Sequence, residues 1–434
     1  MESIIYNQPI INIGCLGSVS DGKSTLVEKL TGIHTQQHSQ EKNRNITIKQ
    51  GYANMKVWAD TDADDEYYTT SSHVTSFKNS ESEDCKLVNH ISFVDCPGHQ
   101  SLIQTMLLSI SLMNGAIVVV AVNEPLSEKP QLIQHLAAAK LGKLDKIIVC
   151  MNKIDLVSKE VLLKRKEELD ELLDKNGIVP CAVIPTCFNK KIGVNHLTNA
   201  IMKLFNPSEY IEKSNTNPIF RISRTFDINL PGKSWDEVSG GVFGGSLHSG
   251  NIKQDDVLEI RPGLVMKTKD GKFECIPFKT KVLSIESQKI KLDSIIPGGL
   301  VSIATDIDPY YFKNDGESKK KNSKKDGLVG HVVGTPGQMP SVFSEITTEI
   351  NLIKSFGFDW QPVVKDMIVI QIGTRVCDAM VKEINGSKFT LQLAKPCCIG
   401  DNEHVIVCRL IDKILRIVGE GTVKYSDNPN KLIE

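Results

Sequence analysis

Several patterns are missing from this chain, and each absence narrows the reading. None of its eleven cysteines forms a C-x-x-C pair, so the usual zinc and dithiol spacings are excluded. The cysteines are scattered, Cys15, Cys96, Cys150 and Cys187 among them, and several fall inside apolar runs. They read as reduced core residues, as does the adjacent pair Cys397 and Cys398. Neither sign of charge dominates: 51 Lys and Arg face 52 Asp and Glu, a net charge of −1. No global field therefore draws nucleic acid, and an RNA partner has to be met by local patches. No apolar run approaches the length needed to span a bilayer, and the first eight residues have no basic leader pattern. A soluble, cytoplasmic protein without membrane contact is expected. At 434 residues the chain is too long for one core and fits two or three domains.

What is present begins with an apolar run, residues 10–16, followed by Gly17-Ser18-Val19-Ser20-Asp21-Gly22-Lys23-Ser24-Thr25. This is the G-x-x-x-x-G-K-[ST] pattern, in which glycines let backbone N–H groups close around a polyphosphate. Lys23 is placed to reach the β- and γ-phosphates, and the Ser24 hydroxyl to ligate Mg²⁺. A helix over 24–30, with Leu26, Val27 and Leu30 inward, would aim its positive end at the same phosphates. After a polar segment comes Asn45-Ile46-Thr47-Ile48-Lys49, where Thr47 is the candidate to complete the Mg²⁺ shell and sense the γ-phosphate. Residues 60–84, acidic and poor in aliphatics, read as a disordered or loosely packed insertion.

A strand over 90–94 then runs into Asp95-Cys96-Pro97-Gly98-His99. In this D-x-x-G context Asp95 holds Mg²⁺ through water, and the Gly98 N–H reaches the γ-phosphate. A helix over 101–113, a strand over 116–122, a helix over 130–140 and a strand over 146–151 lead to Asn152-Lys153-Ile154-Asp155. The Asp155 carboxylate can accept two hydrogen bonds that guanine offers and adenine does not, Asn152 reads the other edge, and the Lys153 stem packs on the ring. A helix over 158–175, capped by Ser158, turns Val161, Leu162, Leu169, Leu172 and Leu173 inward. A strand over 180–184 precedes Thr186, Cys187 and Phe188, where a backbone N–H could reach the guanine oxygen. Continuous apolar runs alternating with helices mark a parallel sheet covered on both faces. Motifs at three strand ends make this a guanine-nucleotide switch domain.

A last helix over 194–205 and a polar linker over 206–217 close this region. From residue 218 short alternating strands with glycine turns predict an antiparallel barrel, interrupted by a lysine-rich solvated loop at 313–325. A second all-β unit starts at 327 and includes a hairpin whose Asn385-Gly386 is a type I′ signal. The expected architecture is an α/β phosphate-loop GTPase domain (1–207) followed by two antiparallel β-barrels (208–325 and 326–434).

The whole chain resembles the gamma subunit of eukaryotic and archaeal translation initiation factor 2, a relative of the tRNA-carrying elongation factors. The resemblance rests on residues 44–49 with Gly51-Tyr52-Ala53-Asn54, and on residues 92–99. In the second region it rests on Phe226-Asp227-Ile228-Asn229, Gly240-Gly241-Val242, Gly244-Gly245-Ser246 and Pro297-Gly298-Gly299-Leu300, and in the third on residues 328–334. It implies binding of GTP or GDP with Mg²⁺, methionyl initiator tRNA as cargo, and alpha and beta subunits as partners. It also implies delivery to the small ribosomal subunit and control by GTPase-activating and nucleotide-exchange factors. By the same resemblance His99 positions the attacking water, Val19 and Ile46 form an apolar gate beside it, and Tyr52 lies along the aminoacyl end of the tRNA.

The chain departs from the family where two phosphate-loop histidines are replaced by Ser18 and Asp21. Asp21 adds negative charge near the phosphates and implies weaker nucleotide affinity than the family norm. A cysteine knuckle common in the first insertion is reduced to Cys85, so no zinc is expected. Two alternatives stand beside this reading. One is a carrier of another aminoacyl-tRNA, such as a selenocysteine-specific elongation factor, which normally has a further C-terminal domain for which the chain leaves no room. The other is a GTP-bound scaffold that hydrolyses nothing, against which Thr47 and His99 speak.

Overall fold

The structure of the protein, a computed structural model, describes residues 2–35, 51–60, 66–97, 103–229, 239–288, 290–313, 327–353, 360–411 and 414–433. The chain divides into two compact units, the first built on Met1–Tyr210. Its sheet has seven strands: β1 (Ile11–Leu16), β2 (Gly51–Ala59), β3 (Tyr67–Ser71), β4 (Lys86–Asp95), β5 (Gly115–Ala121), β6 (Ile147–Asn152) and β7 (Ala182–Pro185). Their order is β3-β2-β4-β1-β5-β6-β7. The β4-β1-β5-β6-β7 part is parallel, whereas β2 and β3 join it antiparallel at one edge. All six residues of β1 and all seven of β5 are buried, as expected of strands covered on both faces.

The acidic segment after residue 60 is more ordered than its composition suggests. Tyr67–Ser71 pairs with β2, and the Trp58 indole N–H donates to Thr70 Oγ1 at 2.8 Å. Phe77 packs at ring-centroid distances of 6.3 Å from Trp58 and 5.3 Å from Tyr68. A few aromatics thus supply the apolar contact that the count of aliphatics missed. Helix Lys159–Lys175 starts at Ser158, whose Oγ accepts from the Val161 N–H, but it buries only Leu169 and Leu173. Val161 is exposed and Leu162 and Leu172 are half-buried, a narrower inward stripe than expected. Part of the expected linker is helical, at Pro207–Glu212, and Tyr210 is the buried residue of that helix.

The second unit holds Ile211–Ile353, Asp359–Ile411 and Val418–Glu434. The first of the two expected barrels is an eight-stranded antiparallel sheet. In sheet order its strands are Phe273–Lys281, Val257–Lys267, Val332–Gly334, Ile219–Phe226, Val242–Ser249, Leu300–Ala304, Ser284–Ser287 and Ile290–Leu292. Its end strands do not pair with each other among the described residues, so hydrogen bonding does not close it. Phe220, Phe243, Ile260, Ile303 and Val333 fill its core. Val332–Gly334 pairs within this sheet, which therefore continues past residue 325. The second barrel closes through Ser341–Leu352, Lys388–Ile399, Arg375–Asn385, Met367–Ile372, Glu403–Ile411 and Ile414–Val423. In its expected hairpin Asn385 faces Lys388, so the two loop residues are Gly386 and Ser387. Of these only Gly386 has positive φ, 62°, which fits a type II′ turn and not the type I′ read from Asn-Gly. Ten of the eleven cysteines are buried or half-buried, and none is in a disulfide.

Buried histidines set an acid limit on this fold. Burial pushes His90 and His331 down to about 3, while an unfolded chain protonates near 6.5. Their neutral state therefore contributes stability above pH 6.5 that is lost progressively as pH falls toward 3, at up to roughly 1.4 kcal/mol per pH unit for each imidazole. The thermal midpoint should fall between pH 6.5 and 4.5. It should fall less steeply in His90→Asn, whose amide can still donate to the Ile5 carbonyl that His90 Nδ1 meets at 2.8 Å. Equal slopes for the two proteins would clear His90 of this role.

Candidate functional site

The turn after β1 owes its shape to backbone that few residue types tolerate. Gly17, Ser20 and Gly22 have φ of 138°, 64° and 104°. A Cβ on Gly17 would lie 2.2 Å from the Val119 carbonyl oxygen, and one on Gly22 would lie 2.4 Å from Asn152 Nδ2. Helix Lys23–Thr31 follows, with Leu26, Val27 and Leu30 buried as expected. Its N-cap is Gly22, with no side-chain capping hydrogen bond, so the positive end of the helix faces the concave side of the loop without a competing side-chain acceptor.

Five ties fix the loop. The Gly17 N–H donates to His135 Nδ1 at 2.9 Å, and the Ser18 N–H donates to Asp21 Oδ2 at 2.7 Å. Asp21, fully buried, also accepts from the Ala121 N–H at 3.2 Å and pairs through Oδ1 with the buried Lys129 ammonium. Asn152 Nδ2 donates to the Asp21 carbonyl at 2.9 Å. Burial, then the nearby Lys23, pushes His135 down to about 3, which leaves the neutral ring whose bare nitrogen can accept. Lys23 Nζ donates to the Gly17 and Ser18 carbonyls at 3.0 and 2.7 Å, and burial lowers its pKa. Val19 and Thr25 are half-buried and Ser20 is exposed.

Beside the loop, the end of β4 brings the expected metal residues together. Asp95 Oδ2 accepts from Ser24 Oγ and from Thr35 Oγ1, each at 2.7 Å. A hydroxyl and a carboxylate are hard oxygen donors of the kind Mg²⁺ takes alongside phosphate and water, so these residues fit that ion. Gly51, the first residue of β2, is in register with Asp95, and Tyr52 with Val94. Tyr52 is half-buried on β2, next to the Asp95 strand end.

The expected base-recognition residues gather at the ends of β6 and β7. Lys153 turns the chain with φ of 65°, and the Asp155 carboxylate lies 3.1 Å from Lys190 Nζ. The Cys187 thiol, then Lys190, hydrogen-bond to Asp155 and hold its carboxyl below the usual range. Asn152 also bonds within the protein: Nδ2 donates to the Asp21 carbonyl, and Oδ1 accepts from the Phe188 N–H at 3.3 Å. The three backbone N–H groups of the 186–188 loop have partners within the protein. The Thr186 N–H donates to the Met151 carbonyl and the Cys187 N–H to the Ile192 carbonyl, while that of Phe188 goes to Asn152. Asn152 is thereby a strut between the phosphate loop and the base loop. Ile46, Thr47, Gly98 and His99 lie outside the described residues.

His135, Lys129, Thr35 and Lys190 were missed by sequence reading. His135 sits in a helix that pattern alone assigns to packing, and nothing in Lys129 or Thr35 marks a partner 108 or 60 residues away.

A phosphate loop, a Ser–Asp oxygen pair and an Asp155 acceptor at the carboxyl ends of one parallel sheet define a guanine-nucleotide-binding domain of the translational GTPase class. The family model of the elongation factor Tu GTP binding domain matches residues 8–207, and that of the initiation factor eIF2 gamma C-terminal region matches residues 354–423. The chain is 35% identical over 432 residues to the eukaryotic translation initiation factor 2 subunit gamma of Encephalitozoon cuniculi, covering 97% of this chain and 94% of that one. To the translation initiation factor 2 subunit gamma of Archaeoglobus fulgidus it is 33% identical over 422 residues, covering 96% and 95%. The chain belongs to the translation initiation factor 2 gamma subunit family, and it is a translational GTPase. Among solved structures it resembles a bacterial selenocysteine-specific elongation factor with a TM-score of 0.67 at 20% identity, covering 96% of this chain and 58% of that one. It resembles elongation factor SelB from Methanococcus maripaludis with the same TM-score at 21% identity, covering 96% and 79%. These two show a shared fold.

Gly22→Ala should lower guanine-nucleotide affinity at least about tenfold, because the new methyl forces apart the Asn152 strut and a left-handed turn. Titration with a fluorescent GDP analogue checks this; unchanged affinity would mean that the strut has slack.

Proposed function

We propose that this protein is the gamma subunit of a three-subunit translation initiation factor, binding GTP with Mg²⁺ and carrying methionyl initiator tRNA to the small ribosomal subunit. Its GTP hydrolysis releases the tRNA. The single observation that carries the reading is that the full set of nucleotide motifs stands on a chain 31–35% identical, over about 96% of its length, to relatives named as this subunit.

Within that reading each residue has a task. The N–H groups at the start of helix Lys23–Thr31 cradle the phosphates, with Gly17, Val19, Ser20, Asp21, Gly22 and Thr25 shaping or lining the loop, and Lys23 carries the positive charge to the β- and γ-oxygens. Ser24 and Asp95 hold the Mg²⁺ side of the site, and Thr47 joins them. The ion, when bound, neutralises charge between the β- and γ-phosphates. Asp155 accepts from the guanine edge, with Lys153 along the ring and Thr186, Cys187 and Phe188 closing the pocket. Gly98 senses the γ-phosphate, His99 positions the attacking water, and Val19 with Ile46 screens it. Tyr52 lies toward the aminoacyl end of the tRNA. Alpha and beta subunits, an activating factor and an exchange factor complete the partners. The functional domains are a nucleotide domain over 1–207 and two β domains after it, the first of which includes Val332–Gly334 in its sheet.

The register of Gly51 and Tyr52 against Asp95 and Val94 gives a route from nucleotide to cargo. Ordering of 45–54 by the γ-phosphate would place Tyr52, and linkage then requires initiator tRNA to tighten GTP over GDP by the factor by which GTP tightens tRNA.

Two measurements test the reading. Asp155→Asn should weaken GTP binding by one or more decades and admit the xanthine nucleotide, because the amide donates where guanine also donates and xanthine accepts; a retained preference for GTP in competition binding would remove Asp155 from the base site. The RNA that copurifies with the assembled three-subunit complex in GTP should be initiator tRNA, released on exchange to GDP with the roughly 5- to 150-fold loss of affinity common for coupled sites. Recovery of selenocysteine tRNA instead would favour the other carrier class. Recovery of no tRNA, with GTP bound but not hydrolysed when ribosomes and the activating factor are added, would favour the scaffold.

A further inference from the structure

A negative charge in a phosphate loop opposes the anion that such a loop holds. Asp21 nevertheless stands there, fully buried, directly before Gly22 and Lys23. Its carboxylate faces away from bulk water into a closed set of partners: the Ser18 N–H at 2.7 Å, the Ala121 N–H at 3.2 Å and the Lys129 ammonium. Lys129 is itself 4% exposed and also lies 3.6 Å from the exposed Glu124. It immediately precedes helix Pro130–Leu141, which also supplies His135, the acceptor for the Gly17 N–H. One helix thus grips the loop at both ends, by a neutral acceptor at its start and by a cation near its finish.

We propose that Lys129 is a positioning residue for nucleotide, cancelling the Asp21 charge so that a polyphosphate can occupy a loop with a carboxylate built into its wall. The inference rests on the guanine-nucleotide reading of this loop and extends it to a residue outside every recognised motif. Coulomb interactions between buried or partly buried charges are strong and weakly screened, and a buried ion left without its partner is costly. Each member of the pair therefore supports the fold, but the two have opposite effects on an anionic ligand. Loss of Lys129 leaves a bare carboxylate beside the phosphates; loss of the Asp21 charge leaves an extra ammonium beside them. The weaker affinity implied by Asp21 alone is thereby offset from a position 108 residues away.

The test is a charge cycle on the full chain: Lys129→Met, Lys129→Arg, Asp21→Asn and the double variant Asp21→Asn/Lys129→Met, each measured for GTP and GDP dissociation constants and for thermal midpoint without nucleotide. Lys129→Met should weaken both nucleotides about tenfold or more. Lys129→Arg should restore most of that loss, Asp21→Asn should tighten both nucleotides a few-fold, and the double variant should recover most of what Lys129→Met lost. Both single charge removals should lower the thermal midpoint, so stability moves in one direction while affinity moves in two. If both weaken nucleotide alike, the pair is only a mechanical tie and the proposal is overturned. If Lys129→Met binds as the parent does, it is overturned as well. A parent chain that binds no guanine nucleotide would instead overturn the reading beneath it, and with it this one.

Discussion

The first unit depends on keeping a short piece of backbone in a shape it would not hold alone. Residues 17–22 include three left-handed or otherwise positive φ values, one of them at a serine, and such conformations persist only where the surroundings over-determine them. Here the surroundings are the ends of neighbouring strands, Ala121 on β5 and Asn152 on β6, together with Lys129 and the helix after it that carries His135. Each bond also satisfies a polar group that would otherwise be buried without a partner. The polar network and the strained loop therefore support each other.

The sheet makes this convergence possible. Parallel strands deliver their carboxyl ends to one edge, so residues far apart in sequence meet there with little loop between them. Asp95 at the end of β4 meets Ser24 and Thr35, and Asn152 at the end of β6 spans from Asp21 to Phe188. Because two hydroxyls share one Asp95 oxygen and Gly51 is in register with the same residue, a shift in any one of them is felt by the other three.

The second unit is held by different means. Its sheet and its closed barrel have cores of aliphatic and phenylalanine side chains, and charged groups join them: Arg221 pairs with Glu403 at 2.6 Å, and Arg375 donates to the Val329 carbonyl at 3.0 Å. Arg261 reaches the Pro340 carbonyl at 3.1 Å while pairing with Glu259 at 2.6 Å. Arginine suits such places because its planar fork can satisfy several acceptors at once.

The sequence by itself determined the strand–loop–helix at residues 11–31, the parallel order of apolar strands and the Asp155 turn, because each is written in contiguous residues with a fixed spacing. It also determined the family, since whole-chain patterning survives where single contacts change. Tertiary structure alone decided what Asp21 means: from sequence it is a repulsive charge, and in the fold it is half of a buried pair with Lys129. It likewise gave Asn152 bonds to both the phosphate loop and the 186–188 loop, ordered Tyr67–Ser71 on an edge strand through Trp58 and Phe77, and left the end strands of the first expected barrel unpaired with each other among the described residues. The reason is common to all four. Helix and strand periods repeat over a few residues and can be read locally, whereas the partner of a buried charge, an amide or an aromatic ring is chosen by which distant segments the sheet brings within about 3 to 6 Å.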